Sequence, residues 1–189
     1  DILGEEGEDT KARNAKTKLL GFLARIYRQQ NDFKKAIDCY QDHMATIPSD
    51  FPNREEITAE DLLQLGNIYD QMNLLDIAIE HLQKCLDIRK RTGNIDGSAQ
   101  ALFNIAMVQE KQKDYQSGIR SLRDALRTYK MNGLSSEAAL SLSKIGELLE
   151  KTGNNPGAME AYSQALDMIR ASPSSVNDVF TANTLHDYG

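Results

Sequence analysis

The side chains that could do chemistry in this sequence are two cysteines, Cys39 and Cys85, and three histidines, His43, His81 and His186. A nucleophilic cysteine needs a base held beside it, and a zinc site needs thiols and imidazoles gathered at short spacings. The histidines lie far apart along the chain, and both cysteines fall in apolar helical contexts. We therefore predict no catalytic residue, no metal site and no cofactor, with His43 packed against a helix.

Two further classes of function are disfavoured by motif and composition. A Gly-rich phosphate loop and a Gly-x-Ser-x-Gly elbow are both missing from the sequence, so it is not expected to be an enzyme. The 28 acidic residues outnumber the 22 basic ones and give a net charge of −6, whereas nucleic-acid binding usually needs a basic face. The sequence has no apolar run of about 18 residues, so we expect no insertion into a membrane.

The elements that must position any functional side chain come from an internal repeat. Small residues recur with steps of 42, 40 and 40 at two separate positions, Ala24, Gly66, Ala106 and Gly146, and Ala36, Ala78, Gly118 and Ala158. Apolar residues accompany them at helical spacings in each unit, with Leu23 in the first and Met159 in the last. Each unit is therefore predicted to be a pair of helices held close together by its small residues.

The residues at the predicted helix ends agree with helix pairs of this length. Gly93 and Gly133, again 40 residues apart, stand where a helix should stop with a left-handed residue. Pro156 falls in the first turn of its predicted helix, where the missing N–H costs nothing. Thr58 with an acid at Asp61 is interpreted as the N-terminal cap of the second pair.

The pattern resembles the tetratricopeptide repeat (TPR) over about residues 17 to 171. The stretch LLQLGNIYDQMNLLDIAIEHLQKCLDI follows that motif closely, with Leu65, Gly66, Tyr69, Ala78 and Leu82 in place. The motif's usual Trp is replaced by Leu in every unit, and the units are 40 residues long instead of 34. Long units of this kind are similar to those of the Leu-Gly-Asn repeat spindle adaptor and of kinesin light chain.

The resemblance implies an all-α fold, a right-handed α-α superhelix (TPR solenoid) of four helix-turn-helix repeats. We place the repeats at 11–49, 58–92, 96–132 and 135–171, with a loop at 50–57. Residues 1–10 are predicted to be an acidic flexible segment. Residues 172–189 are predicted to form a capping helix over the last repeat or a tail, the alternative being a motif that docks on a neighbour.

In this family the first helix of each repeat lines a concave groove. The resemblance therefore implies partner-binding residues at Arg25, Arg28, Gln64, Asn67, Gln71, Asn104, Met107, Lys111 and Lys144. Asn67 and Asn104 can both donate to and accept from the backbone of a peptide of any sequence. A complete clamp for a C-terminal carboxylate is not expected, because Leu63 and Leu140 occupy two of its basic positions.

We therefore predict a non-catalytic protein-protein interaction module that binds an extended or helical peptide segment in its groove. The alternative is an architectural subunit of a large multiprotein assembly, held by its edges and ends. Under either hypothesis the partner is a protein or peptide, and the chain is a component of a larger complex. A cytoplasmic location is expected, and the resemblance makes a cytoskeletal or ciliary setting the alternative.

Overall fold

The computed structural model describes the backbone of residues 2–171 and the side chains of residues 11–171. In this part of the chain every regular element is a helix, and there are eight: α1 Ile2–Gln29, α2 Phe33–Thr46, α3 Arg54–Gln71, α4 Leu75–Thr92, α5 Ile95–Lys111, α6 Tyr115–Met131, α7 Ser135–Lys151 and α8 Asn155–Ala171. They follow one another as four pairs of a first and a second helix. The predicted all-α repeat fold is confirmed.

The recurring small residues are what allow the two helices of a pair to lie close together. A Cβ atom added to Gly66 of α3 would stand 2.6 Å from Leu82 Cγ of α4. One added to Gly146 of α7 would stand 2.7 Å from Tyr162 Cε1 of α8. The equivalent residues Ala24 and Ala106 are fully buried. Larger side chains at this position would therefore force the pair apart.

Each turn within a helix pair uses one left-handed residue. These residues are Asn31, Asn73, Lys113 and Gly153, with φ between 58° and 79°. A capping side chain follows three of them, such as Asp114, which accepts a hydrogen bond from Ser117 N at 3.1 Å. Between pairs, Gly93 and Gly133 have φ of 75° and 72° and confirm the predicted helix stops.

Three local predictions differ from the structure. Helix α3 begins at Arg54, after Asn53 with φ 59°, so residues 54–57 of the predicted loop are helical. Thr58 is not the cap, because its hydroxyl donates to Arg54 O at 2.9 Å inside the helix. Helix α1 begins at Ile2, so the backbone of the predicted flexible segment is also helical. Acidic residues near the N-terminus of a helix stabilise it, because their negative charge interacts favourably with the helix dipole.

The chain forms two compact units that divide between Ile88 and Arg89, within α4. In the first unit, α1, α2 and α3 share a buried cluster of Ala24, Ala36, Tyr40, Leu65 and Ile68. In the second unit, α5 to α8 share a larger cluster of Ala106, Ile119, Leu122, Ile145, Leu148, Leu149, Ala158, Ala161 and Tyr162. The predicted capping helix or tail at 172–189 lies outside the described residues.

Two members of the apolar repeat pattern are exposed instead of buried. Leu23 of α1 is 41% exposed, and Met159 of α8 is 63% exposed. Their equivalents one or more repeats away, Ile145 and Ile119, are 4% and 3% exposed. The periodic pattern predicts a helix face correctly, but burial of that face needs another helix against it.

Candidate protein-binding face

The nine predicted partner-binding residues all lie on first helices, and none of them is fully buried. In the first unit, α1 carries Arg25 and Arg28, and α3 carries Gln64, Asn67 and Gln71. In the second unit, α5 carries Asn104, Met107 and Lys111, and α7 carries Lys144. We call these nine residues the contact row. They fall into two sets, one in each compact unit.

In the first unit the contact row contains two arginines one helical turn apart. The guanidinium carbon of Arg25 lies 5.3 Å from the centroid of the Phe22 ring, within range of a cation–π interaction. Neither Arg25 nor Arg28 forms an ion pair with a carboxylate among residues 11–171. The α1 side of this set therefore presents positive charge that the described protein does not neutralise.

Several polar atoms in the same set are buried without a hydrogen bond to any described residue. They include Arg28 Nε, Gln64 Oε1 and the Tyr40 hydroxyl. The Gln64 Nε2–H donates a hydrogen bond to Glu60 Oε1 at 2.6 Å, and Gln64 Oε1 accepts none from a described residue. Burial raises the pKa of the Tyr40 hydroxyl, and the positive charge of Arg28 opposes that rise. Unsatisfied polar atoms of this kind are costly and favour added hydrogen-bonding groups.

In the second unit the charges of the contact row are largely compensated. Lys144 Nζ lies 2.6 Å from Glu147 Oε2 on the same helix. Lys151 of α7 pairs with Glu110 of α5, and this hydrogen bond raises the pKa of Lys151. Met107 packs against the apolar cluster of this unit. This set therefore offers half-buried amide and thioether groups in place of free charge.

A buried histidine–carboxylate pair joins α2 and α3 in the first unit and was not foreseen from the sequence. His43 Nδ1 of α2 lies 2.6 Å from Asp61 Oδ2 of α3, and both side chains are mostly buried. Burial raises the pKa of Asp61, and the hydrogen bond from His43 opposes that rise. The small residues at the equivalent positions, Ala125 and Ser141, were the only signal that this pair of positions meets.

The thiol nearest to His43 along the chain is not activated as a nucleophile. Cys39, one turn from His43 on α2, has its thiol pKa raised by burial and by nearby Asp42 and Asp38. A raised pKa lowers the thiolate fraction that a nucleophilic cysteine needs. Within residues 11–171 no three His, Cys, Asp or Glu side chains gather where they could hold a metal ion. His186 lies outside the described residues.

A pocket of about 460 Å³ opens beside α1 and the end of α2 in the first unit. Its lining consists of Ala12, Arg13, Lys16, Ala45, Thr46, Ile47 and Pro48. The Thr17 hydroxyl donates to Arg13 O at 3.0 Å and lies 3.3 Å from Thr46 O, which ties the two walls together.

Among the helices that the structure describes, none combines the length and apolar character needed to cross a membrane.

Three solved structures illustrate the fold that this chain shares. The crystal structure of BtubC (BKLC) from P. vanneervenii matches with a TM-score of 0.75 at 18% identity, over 90% of this chain and 69% of that one. Aspartyl phosphate phosphatase F from Bacillus subtilis matches with a TM-score of 0.78 at 14% identity, over 87% of this chain and 42% of that one.

The third structure is the Rap conjugation gene regulator of the plasmid pLS20 in complex with a Phr peptide. It matches with a TM-score of 0.71 at 16% identity, over 89% of this chain and 47% of that one. At these identities the likenesses show a common fold and nothing about shared chemistry. No curated protein sequence matches the chain closely enough to count as a relative.

A comparison with protein families identifies the family of the chain as well as its fold. Residues 7–168 match the family described as soluble NSF attachment protein, SNAP. With the structural neighbours, this match confirms the prediction of a TPR-like helical repeat protein. Because the match spans most of the 189 residues, this chain belongs to the soluble NSF attachment protein (SNAP) family.

Proposed function

We propose that this chain is a non-catalytic protein-protein interaction module that binds an extended or helical peptide segment along the contact row. The observation that carries the proposal is the position of the row. All nine residues lie on first helices, and each keeps part of its surface open to solvent. Stacked helix pairs present their first helices along an inner face, which is where such repeats take their ligands.

The comparisons support an adaptor more than an enzyme. The family is described as an attachment protein, and one similar fold is seen holding a peptide. Another similar fold is named a phosphatase, but that chain is only 14% identical. Near His43, burial raises the pKa of the Cys39 thiol, which disfavours a nucleophilic role for it.

The charges of the contact row favour an acidic or mixed segment as the ligand. In the first unit Arg25 and Arg28 have no carboxylate partner among the described residues, so a carboxylate of the ligand would complete them. In the second unit Asn104 and Met107 suit a peptide backbone and an apolar side chain. An acidic overall charge makes nucleic acid a poor candidate.

Asn67 and Asn104 provide the test of this proposal. Full-length protein would be used to recover partners from a cytoplasmic extract, with identification by mass spectrometry. We expect Asn67→Ala with Asn104→Ala to lower recovery of the principal partner at least about tenfold, since each lost amide removes backbone hydrogen bonds. The matched control replaces Gln41 and Gln116, exposed amides on the second helices α2 and α6, with Ala. Equal recovery by the two variants would refute groove binding.

The alternative function is an architectural subunit of a large multiprotein assembly, held by its edges and ends. An exposed apolar face on α1, which includes Leu23 and Ile26, favours this alternative. We also propose, for either function, the finer resemblance to the Leu-Gly-Asn repeat adaptor and to kinesin light chain and a cytoplasmic location, with a cytoskeletal or ciliary setting as the alternative. Partners that are lost only when the α1 face is altered would support the architectural role.

A further inference from the structure

A stripe of large apolar side chains lies open to solvent on α1. It consists of Leu19, Phe22, Leu23 and Ile26, whose exposed fractions are 59%, 53%, 41% and 46%. Their spacing places them along one side of the helix over two turns. Single exposed apolar residues are ordinary, but a contiguous row of this size marks a surface that another molecule covers. We call these four residues the α1 stripe.

The first unit shows what covers the equivalent face of the next first helix. The repeat step of 42 residues carries Leu23 and Ile26 onto Leu65 and Ile68 of α3. These two are 1% and 0% exposed, and they share a cluster with Tyr40 of α2. The second helix of the preceding pair therefore covers this face.

The second unit repeats the same arrangement independently. The positions equivalent to Leu23 and Ile26 are Ile145 and Leu148 of α7, which are 4% and 0% exposed. They share a cluster with Ile119 and Leu122 of α6, again the second helix of the preceding pair. The α1 stripe is therefore one half of a repeat-to-repeat interface that the protein already builds twice.

One position from the other half of that interface is exposed on α8, whereas Tyr162, the equivalent of Leu122, is 8% exposed. A step of 40 residues carries Ile119 of α6 onto Met159 of α8. Ile119 is 3% exposed in its packed position, whereas Met159 is 63% exposed. Helix α8 is a second helix, and no first helix follows it among the described residues. Its open face is thus of the kind that fits against the α1 stripe.

The charges beside these two faces are complementary. The segment 11–29 of α1 contains six basic residues and no acidic one. Helix α8 contains two acidic residues, Glu160 and Asp167, and one basic residue, Arg170, which lies 3.7 Å from Asp167 and leaves Glu160 as the acid without an ion pair in the described residues. Opposite charges around an apolar contact steer the two surfaces together and fix which partner is accepted.

We propose that the α1 stripe binds α8 of a second copy of this chain, so that copies associate head to tail. The contact would continue the repeat-to-repeat interface seen for α2 on α3 and for α6 on α7. Because the two faces differ, the contact is heterologous and can add copies beyond two. The α1 stripe adjoins the contact row at Phe22, whose ring lies 5.3 Å from the guanidinium carbon of Arg25, so self-association is tested at Leu23 and Ile26.

The test measures the molar mass of the full chain by sedimentation equilibrium over a range of concentrations. We expect the mass of the wild type to rise with concentration. Leu23→Glu with Ile26→Glu on one face, or Met159→Glu on the other, should weaken association about a hundredfold or more, because each forces a charged side chain into an apolar contact. The control is Met131→Glu, since Met131 is 80% exposed on α6 outside both faces. Leu23→Ala with Ile26→Ala repeats the test without added charge.

Mixing the variants separates this geometry from its competitors. The Leu23→Glu/Ile26→Glu protein keeps its α8 face, and the Met159→Glu protein keeps its α1 stripe. An equimolar mixture should therefore form dimers and stop there, while each variant alone stays monomeric. A symmetric contact of stripe against stripe would leave Met159→Glu as associated as the wild type and would overturn the proposal. A wild type that stays monomeric would overturn it too, in favour of residues 172–189 covering α8 within one chain.

Discussion

Replacing the buried His43–Asp61 pair by the small residues of the second unit is the most informative perturbation of this fold. The two atoms, His43 Nδ1 and Asp61 Oδ2, are 2.6 Å apart. Two repeats further along, the equivalent positions are Ala125 and Ser141, both fully buried. The chain therefore contains both a polar and a small-residue solution for the same contact between a second and a first helix.

The expected free energies of unfolding follow from what each change leaves behind. Asp61→Ser removes a charge-assisted hydrogen bond and should cost about 1.5–3 kcal/mol. His43→Ala leaves a buried carboxylate unpaired and should cost about 3–5 kcal/mol. Replacing both partners leaves mainly the space vacated by the imidazole, which lies against Gly21, so the double variant should cost about 1–2 kcal/mol.

Urea unfolding of the full chain, followed by far-ultraviolet circular dichroism at neutral pH, measures these three values. A coupling energy of at least about 2 kcal/mol between the two positions is expected. If the two single costs add up to the double cost within about 0.5 kcal/mol, the pair is not energetically coupled and the reasoning fails. As a control, the slope of the unfolding free energy against urea concentration should be equal in all variants, because that slope scales with the surface exposed on unfolding.

The pH dependence gives a second readout of the same perturbation. Burial raises the pKa of Asp61 above its unfolded value of about 3.9. A raised folded pKa means that the stabilising contribution is complete below the unfolded value and is lost as pH rises through the folded value. His43→Ala removes the hydrogen bond that opposes this rise, so its stability should fall more steeply above about pH 4. The Asp61→Ser variant should lose this dependence of stability on pH, because the carboxyl group is absent.

Two further predictions concern the turns and the cysteines. Lys113 has φ 62°, a conformation that favours glycine, so Lys113→Gly should raise the free energy of unfolding by about 0.5–1 kcal/mol in urea titrations. The reciprocal Gly133→Lys, at φ 72° with no other atom close to the added Cβ, should lower it by about 1–2 kcal/mol; no loss there would contradict the backbone argument. In thiol labelling of the native protein, half-buried Cys39 should react slowly, because its pKa is raised, and Cys85 only on unfolding. Equal rates for the two thiols would show that this burial difference is wrong.

Much of the fold was predictable because it depends on patterns that recur in the chain. The regularly recurring small residues, such as Gly66 and Gly146, predict that the two helices of a pair approach closely, because a larger side chain there would collide with the partner helix. Gly93 and Gly133 encode helix stops because left-handed backbone suits glycine. The beginning of α3 was missed because Thr58 can satisfy its hydroxyl inside a helix as well as at a cap.

The contact row was predictable only as positions on helices. The structure decided which of its charges are compensated, since Lys144 finds Glu147 on its own helix while Arg25 finds an aromatic ring. Pairings of this kind depend on the rotamers and neighbours of each side chain, which periodicity does not encode. The binding role of the nine residues remains a prediction for the recovery experiment to decide.

The sequence by itself determined the helices, their pairing and the residues that face a neighbour, because helical periodicity and small-residue spacing are local and repeated. Only the tertiary structure decided which of those faces are covered. Leu23 and Ile145 occupy the same place in the repeat, yet one is 41% exposed and the other 4%. The same holds for His43 and Asp61, which lie 18 residues apart and meet only when α2 packs on α3. Burial is a property of what packs against a residue, and that is settled in three dimensions.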